Sequence, residues 1–289
     1  MIKKHKIKYY IFFVITAAMI FSLIPMDMNL SNNPSFGIVT IDEPITSSRE
    51  IVAQLNEFNN NDNIDAIIVR LNTPGGVVAP SQEIYEKVKL ISESDSKPII
   101  ASMGSIATSG GYYIAIGADT IIANKGTLTG SIGVIMNYPV LDDLLENHGV
   151  DYKTVKSGPY KDSGSAFRSP TEKDSLYFQE VVNDMYDQFV WTLKYERGLN
   201  SKDIINVANG KVYTGLQAQQ INLIDILGTF EDSINLLLVM TDNIGKSPNL
   251  IEEKEEPFSL FNNFLNKSNQ MISFNKMLLF PLPEFRLYY

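Results

Sequence analysis

"KPIIASMGSIATSGGYYIAIGAD", residues 97–119, begins as an apolar run and ends as an apolar helix-like stretch, with a serine and two glycines between them. The first part, over residues 97–103, has the length and β-branched content of a buried strand, and a helix is expected to start near Ser109. The surrounding sequence repeats this unit. "FGIVTI" at residues 36–41 precedes a helical pattern over 47–59, and "DAIIVRLN" at 65–72 precedes one over 80–92. Strand-like runs come next at 119–124 and 131–136, then a helix over 139–147 and a short strand at 151–155. Strand–helix units of this length, repeated, predict an α/β fold with helices outside a mainly parallel sheet. "SPTE" places Ser169 as the N-cap, Pro170 in the first turn and Glu172 as capping-box partner of a long helix reaching about Glu196. A further helix is expected near residues 230–240. An acidic linker and a tail rich in Phe, Leu and Asn close the chain.

The 289 residues, 44% of them hydrophobic, suffice for a substantial core. Cysteine is absent, so thiol nucleophiles, disulfides and thiolate metal sites are excluded. Residues 9–26, "YYIFFVITAAMIFSLIPM", form an uncharged apolar run preceded by Lys3, Lys4, Lys6 and Lys8. A helix of that length crosses a thin hydrocarbon core, and the positive-inside rule places the residues C-terminal to it outside the cytoplasm. The run is long for a signal-peptide core and no A-x-A cleavage site comes after it, so it reads as a single-pass anchor in the cell membrane. The expected organisation is a cytoplasmic N-terminus (1–8), an anchor (9–26), a main domain (31–248), and a linker with tail (249–289). A formal charge of −9, more negative still without the four lysines, makes nucleic acid an improbable partner.

A serine at a strand-to-helix turn has the exposure a nucleophile needs, and the Gly110 amide, at the positive end of the helix, can donate to a developing oxyanion. "NTPGG", residues 72–76, ends the preceding strand with a turn that can supply a second donor. Glycine pairs after strands are also ordinary turns. The base is harder to find. His5 lies on the cytoplasmic side of the anchor, and His148 in "LLENHGV" has the ordinary role of a histidine in a last helical turn before a C′ glycine. A lysine serves if its pocket keeps it neutral near pH 7. "KSGPYKDSGSAFR" offers Lys156 and Lys161, and composition alone reads both as solvated loop lysines.

The four segments "NTPGG", "MGSIATSGGYYIAIGAD", "GTLTGSIGVI" and "SGPYKDSGSAFR", in this order, resemble the signal peptide peptidase A family, over roughly residues 36–230. The resemblance implies a membrane-anchored Ser/Lys peptidase of ClpP/crotonase-like fold, in the short form with one catalytic repeat. It implies Ser109 as nucleophile, Lys161 as general base, Ser131 as the residue orienting that lysine, and Gly76 and Gly110 as oxyanion donors, with no cofactor or metal. Substrates would be cleaved signal peptides and other extended peptides at the membrane, and identical copies would close a ring. Departures exist: Asn222 stands where the family commonly has a turn glycine, and Ser163 and Ala166 replace a common Ile and Pro. For the mechanism to work, Lys161 should be buried to depress its pKa, and the adjacent Asp162 must point elsewhere. The tail, from Phe258, is expected to pack on neighbouring copies, to lie along a groove as a strand, or to be disordered. Two other classes fit more loosely. A crotonase-like acyl-CoA enzyme would need a cytoplasmic location and acidic catalytic groups, and a non-enzymatic membrane scaffold would not need Ser109, Ser131 and Lys161.

Overall fold

The computed structural model describes residues 33–94, 96–252 and 284–286; the apolar run at 9–26 lies outside them. Three parallel strands form the centre: β1 (Ser35–Ile41), β2 (Ala66–Thr73) and β3 (Ile99–Thr108). Between them run α1 (Arg49–Asn60) and α2 (Val78–Glu93). Side chains of β2 are buried on both faces, which explains its nearly continuous apolar sequence. The long β3 serves two neighbours on one side. Its first half pairs in parallel with β4 (Thr120–Ala123), and its last residues pair in parallel with β5 (Leu128–Gly130). The short β7 (Val212–Thr214) continues the sheet antiparallel to β5, β8 (Ile226–Leu227) adds to β4, and β9 (Asn249–Glu252) adds to the far edge of β1.

Both faces of the sheet are covered. On one, Val39, Ile67, Val69, Ile99 and Ala101 pack with Leu55 of α1, Val88 of α2 and Leu193 of the long α5 (Glu172–Arg197). On the other, Ile234, Leu237 and Leu238 of α8 (Phe230–Met240) cover Phe36, Ile68, Ile100 and Ile122. The expected α/β architecture is therefore observed. Among the described residues no helix is long and apolar enough to cross a membrane.

Three local expectations fail: the strand expected at 131–136 begins only at residue 135, and two others fail for physical reasons. Residues 151–155 are irregular: among the described residues no strand pairs with them, and all five are exposed, Val155 completely. The long helix is capped by Thr171, not Ser169. Thr171 Oγ1 accepts from Asp174 N at 3.2 Å while Asp174 returns a carboxylate to Thr171 N at 2.8 Å. The same spacing rule applies two residues later than expected, since Ser169 Oγ instead donates to Asp142 of the short α4 (Asp142–Asn147). A small antiparallel pair joins β6 (Ile135–Asn137) to β10 (Glu284–Arg286), the one described part of the tail beyond residue 252.

Candidate active site

The end of β3 sends the chain through Ser109 into α3 (Gly110–Ala115). Six residues are too few to hold a helix without tertiary help. Its two tyrosines supply that help. Tyr112, fully buried, donates from its hydroxyl to Leu223 O at 2.9 Å. The Tyr113 ring packs edge-on against Tyr85 and Phe189, with centroids 5.0 and 4.8 Å away, and its hydroxyl meets Thr192 Oγ1 at 2.9 Å.

Against this anchored helix Ser109 adopts φ 53° and ψ −115°, a backbone conformation that a non-glycine residue takes only under strain. Its amide donates to Gly130 O and its carbonyl accepts from Tyr113 N, both at 2.8 Å. The hydroxyl is buried and has no hydrogen-bond partner among the described residues. An unpaired buried hydroxyl costs about 1–3 kcal/mol, so packing alone does not account for a serine here.

Two glycine turns frame it. Gly76 is pinned beside Ile45, and a Cβ on it would sit 2.0 Å from Ile45 O. A Cβ on Gly110 would sit 2.5 Å from Ser81 Oγ and 3.2 Å from Gly76 N, which places the two glycines side by side. Thr108 Oγ1 donates to Pro74 O at 3.0 Å, fastening the 73–76 turn to the serine turn, and Thr73 Oγ1 donates to Glu43 O at 2.7 Å, fastening it to the segment after β1. Sequence reasoning does not reach these fastenings, because an isolated threonine carries no signal until its partner strand is known.

Ser131 is also buried, with φ 51°, directly after the Gly130 whose carbonyl holds the Ser109 amide. The structure thus brings Ser109, Ser131, Gly76 and Gly110 into one neighbourhood. Lys161 is different. It is exposed in an irregular turn, where its amide donates to Gly158 O at 3.3 Å, and it makes no hydrogen bond to Ser109 Oγ. The burial expected for Lys161 is not observed among the described residues.

Asp162, as expected, points away. Both its oxygens accept from Arg168, at 3.0 Å each, and one also accepts from Lys156, so Lys156 has a structural partner. His148 caps α4, its Nδ1 2.8 Å from Leu144 O, and Gly149 follows at φ 71°. Asn222 takes φ 60°, the left-handed conformation expected at its turn.

The sequence pattern of peptidase family S49 matches residues 92–241, just over half the chain, and that of Clp protease matches 35–124. The chain belongs to peptidase family S49. It is 46% identical over 168 residues to a Synechocystis sp. protein named "Putative protease", covering 58% of this chain and 60% of the relative. Identity is 35% over 189 residues to "Putative signal peptide peptidase SppA" of Enterococcus faecium, covering 65% and 55%. It is 31% over 188 residues to "Serine protease SPPA, chloroplastic" of Arabidopsis thaliana, covering 65% and 28%. The chain thus spans at most about three-fifths of these relatives, and the stretch shared with them is of S49, SppA-like character.

Proposed function

We propose that the protein is a membrane-anchored serine endopeptidase in which Ser109 is the nucleophile and Lys161 the general base, acting on cleaved signal peptides and other extended chains. The observation that carries this reading is the buried, strained and unpartnered Ser109 hydroxyl beside the Gly76 and Gly110 backbones. Ser109 Oγ attacks the peptide carbonyl and its proton passes to the neutral Lys161 amine. The carbonyl oxygen becomes negative where the Gly76 and Gly110 amides donate to it. Collapse of the tetrahedral species breaks the C–N bond, the leaving amine takes the proton from Lys161, and water then hydrolyses the acyl-enzyme by the same route. Ser131 orients the Lys161 amine. The anchor assigned to residues 9–26 puts this domain on the extracytoplasmic face of the membrane.

An exposed Lys161 and a buried Ser109 with no partner also support assembly. In a ring of identical copies, Lys161 of one copy reaches Ser109 of the next, and the contact between them provides the burial that a neutral lysine needs.

The test uses a fluorophosphonate serine probe and cleavage of an apolar peptide by the full chain. Wild type is expected to label and cleave, and Ser109→Ala to do neither. Mixed Ser109→Ala and Lys161→Ala copies, after subunit exchange, should recover cleavage that neither has alone. Undiminished labelling of Ser109→Ala would overturn the nucleophile. A mixture that stays inactive would overturn the shared site.

A further inference from the structure

A lysine that must be neutral is followed directly by an aspartate, and a free carboxylate at that distance holds an ammonium in its charged form. The structure commits that carboxylate elsewhere. Arg168 Nε donates to Asp162 Oδ2 and Arg168 Nη2 to Oδ1, both at 3.0 Å, a bidentate pair. The third arm of the same guanidinium, Nη1, donates to Asp174 Oδ2 at 2.7 Å. Asp174 is the capping-box residue of α5, its side chain 3% exposed, and it also accepts from Ser163 Oγ. One arginine thus ties the residue after Lys161 to the first turn of the longest helix. On the other side of Lys161, Tyr160 packs on Tyr177 of α5, centroids 5.1 Å apart. The Asp162 side chain is 10% exposed while Lys161 faces solvent, so the two neighbours are turned in opposite directions.

Resting on the reading of Lys161 as general base, we propose that Arg168 is a positioning residue for the reaction. It sequesters Asp162, so that the Lys161 amine has no carboxylate partner, and fixes the Lys161 turn to the start of α5. The nearest charged and titratable groups in the chain are Lys156, Tyr160, Lys161, Asp162 and Arg168 on the loop and Glu172, Lys173, Asp174 and Tyr177 in the first two turns of α5, with Asp142 of α4 reached through Ser169. Only Lys156 and Arg168 pair with Asp162 among the described residues. Removing Arg168 leaves Asp162 half-paired beside Lys161 and deletes a nearby positive charge. Both changes favour the ammonium, and both lower the fraction of active base at neutral pH.

The experiment is the pH dependence of kcat/KM for an internally quenched apolar peptide, measured on the full chain. In Arg168→Gln the acid limb is expected to move alkaline by about one unit or more, with about tenfold lower activity at pH 7 and a gap that narrows at high pH. Arg168→Gln combined with Asp162→Asn should return the limb to its wild-type position. Asp174→Asn, which leaves the Arg168–Asp162 pair intact, should not move it. If Arg168→Gln fails to fold, Arg168→Lys replaces it, since one ammonium cannot span both carboxylates; with the positive charge kept, a smaller alkaline shift is expected. A loss independent of pH, or a shift that persists in the double variant, would overturn the proposal. Lys161→Ala with wild-type activity would overturn the general-base reading itself. Inactive Lys161→Ala with an unshifted Arg168 variant would overturn only the role of Arg168.

Discussion

The turn that carries Ser109 and the loop that carries Lys161 are built by different means. Around Ser109 the constraints are backbone ones: a strained φ, two glycines packed where a Cβ would collide, and threonine bonds to neighbouring carbonyls. Around Lys161 the backbone is irregular, and order comes from side-chain charges, the Lys156–Asp162–Arg168–Asp174 series. Backbone-built sites keep their geometry at any pH, whereas charge-built ones depend on it. A nucleophile needs fixed geometry against its oxyanion donors, and a base needs a tuned protonation state. Under the proposed roles, each region is built for the requirement placed on it.

The largest expected effect tests whether both regions serve one reaction. Ser109→Ala and Lys161→Ala should each lower kcat on the order of 10⁴-fold or more, and Lys161→Arg equally, because a guanidinium does not deprotonate. Stability should separate them. Ser109→Ala removes a buried hydroxyl without a partner and should raise the unfolding free energy by about 1 kcal/mol. Lys161→Ala, at an exposed position, should leave it within about 0.5 kcal/mol. Thermal unfolding of the two inactive variants checks this, and equal transitions would break the distinction.

Next come the glycines. Gly76→Ala drives a methyl into Ile45 O and Gly110→Ala drives one into Ser81 Oγ. Each should cost about 2–3 kcal/mol of stability from overpacking. Each should also lower kcat about 10²-fold or more by displacing an amide from the oxyanion position. Gly149→Ala, where a Cβ has open space and the cost is confined to φ 71°, is the control and should keep its activity.

A third effect sharpens the claim that the Lys161 side depends on charge. The Arg168 guanidinium holds the Asp174 carboxyl well below the usual carboxylate range, with Ser163 and Thr171 adding to it, and holds Asp162 at about 2. Because these values are depressed in the folded state, their stabilisation is fully present above the unfolded value of about 4 and is lost as pH falls below it. Wild type should therefore lose stability from pH 5 to pH 2 more steeply than Asp174→Asn, in thermal melts across that range. Parallel slopes would show that the network does not link folding to pH.

Much of the fold is legible in the sequence because the strands are apolar runs with helical spacing between them, as over residues 36–41, 65–72 and 97–103. Ser109, Gly76 and Gly110 are legible because turn chemistry is local. Arg168 is not, since its two partners each lie six residues away on opposite sides and nothing in "SGSAFRSPTEKD" says which carboxylate turns inward. The cap of α5 is misplaced for the same reason. Both Ser169 and Thr171 have an acidic residue three positions on, and the partners that separate them, Asp142 for Ser169 and Arg168 for Asp174, are not visible in the local pattern. The exposure of Lys161 is equally hidden, because a lysine in a loop rich in Gly, Ser and Pro reads the same in sequence whether its side chain turns inward or out.

The smallest expected effect concerns His148, the remaining histidine on the catalytic side of the proposed anchor. It is exposed at the end of α4, with Nδ1 on Leu144 O and a left-handed Gly149 closing the turn, and its neighbours in the chain are Asn147 and Gly149. Its interaction is with the last carbonyls of a short helix, worth a few tenths of a kcal/mol up to about 1 kcal/mol when the ring is charged. His148→Ala should therefore keep wild-type kcat/KM across the pH range and lower the melting temperature by no more than a degree or two. The pH profile decides the matter more sharply than the melt. An acid limb set by a histidine would vanish in this variant, whereas one set by Lys161 would be unchanged in position. If His148→Ala lost both the limb and the activity while Lys161→Ala kept them, the charge-built loop would have no part in the chemistry and the base would lie on α4.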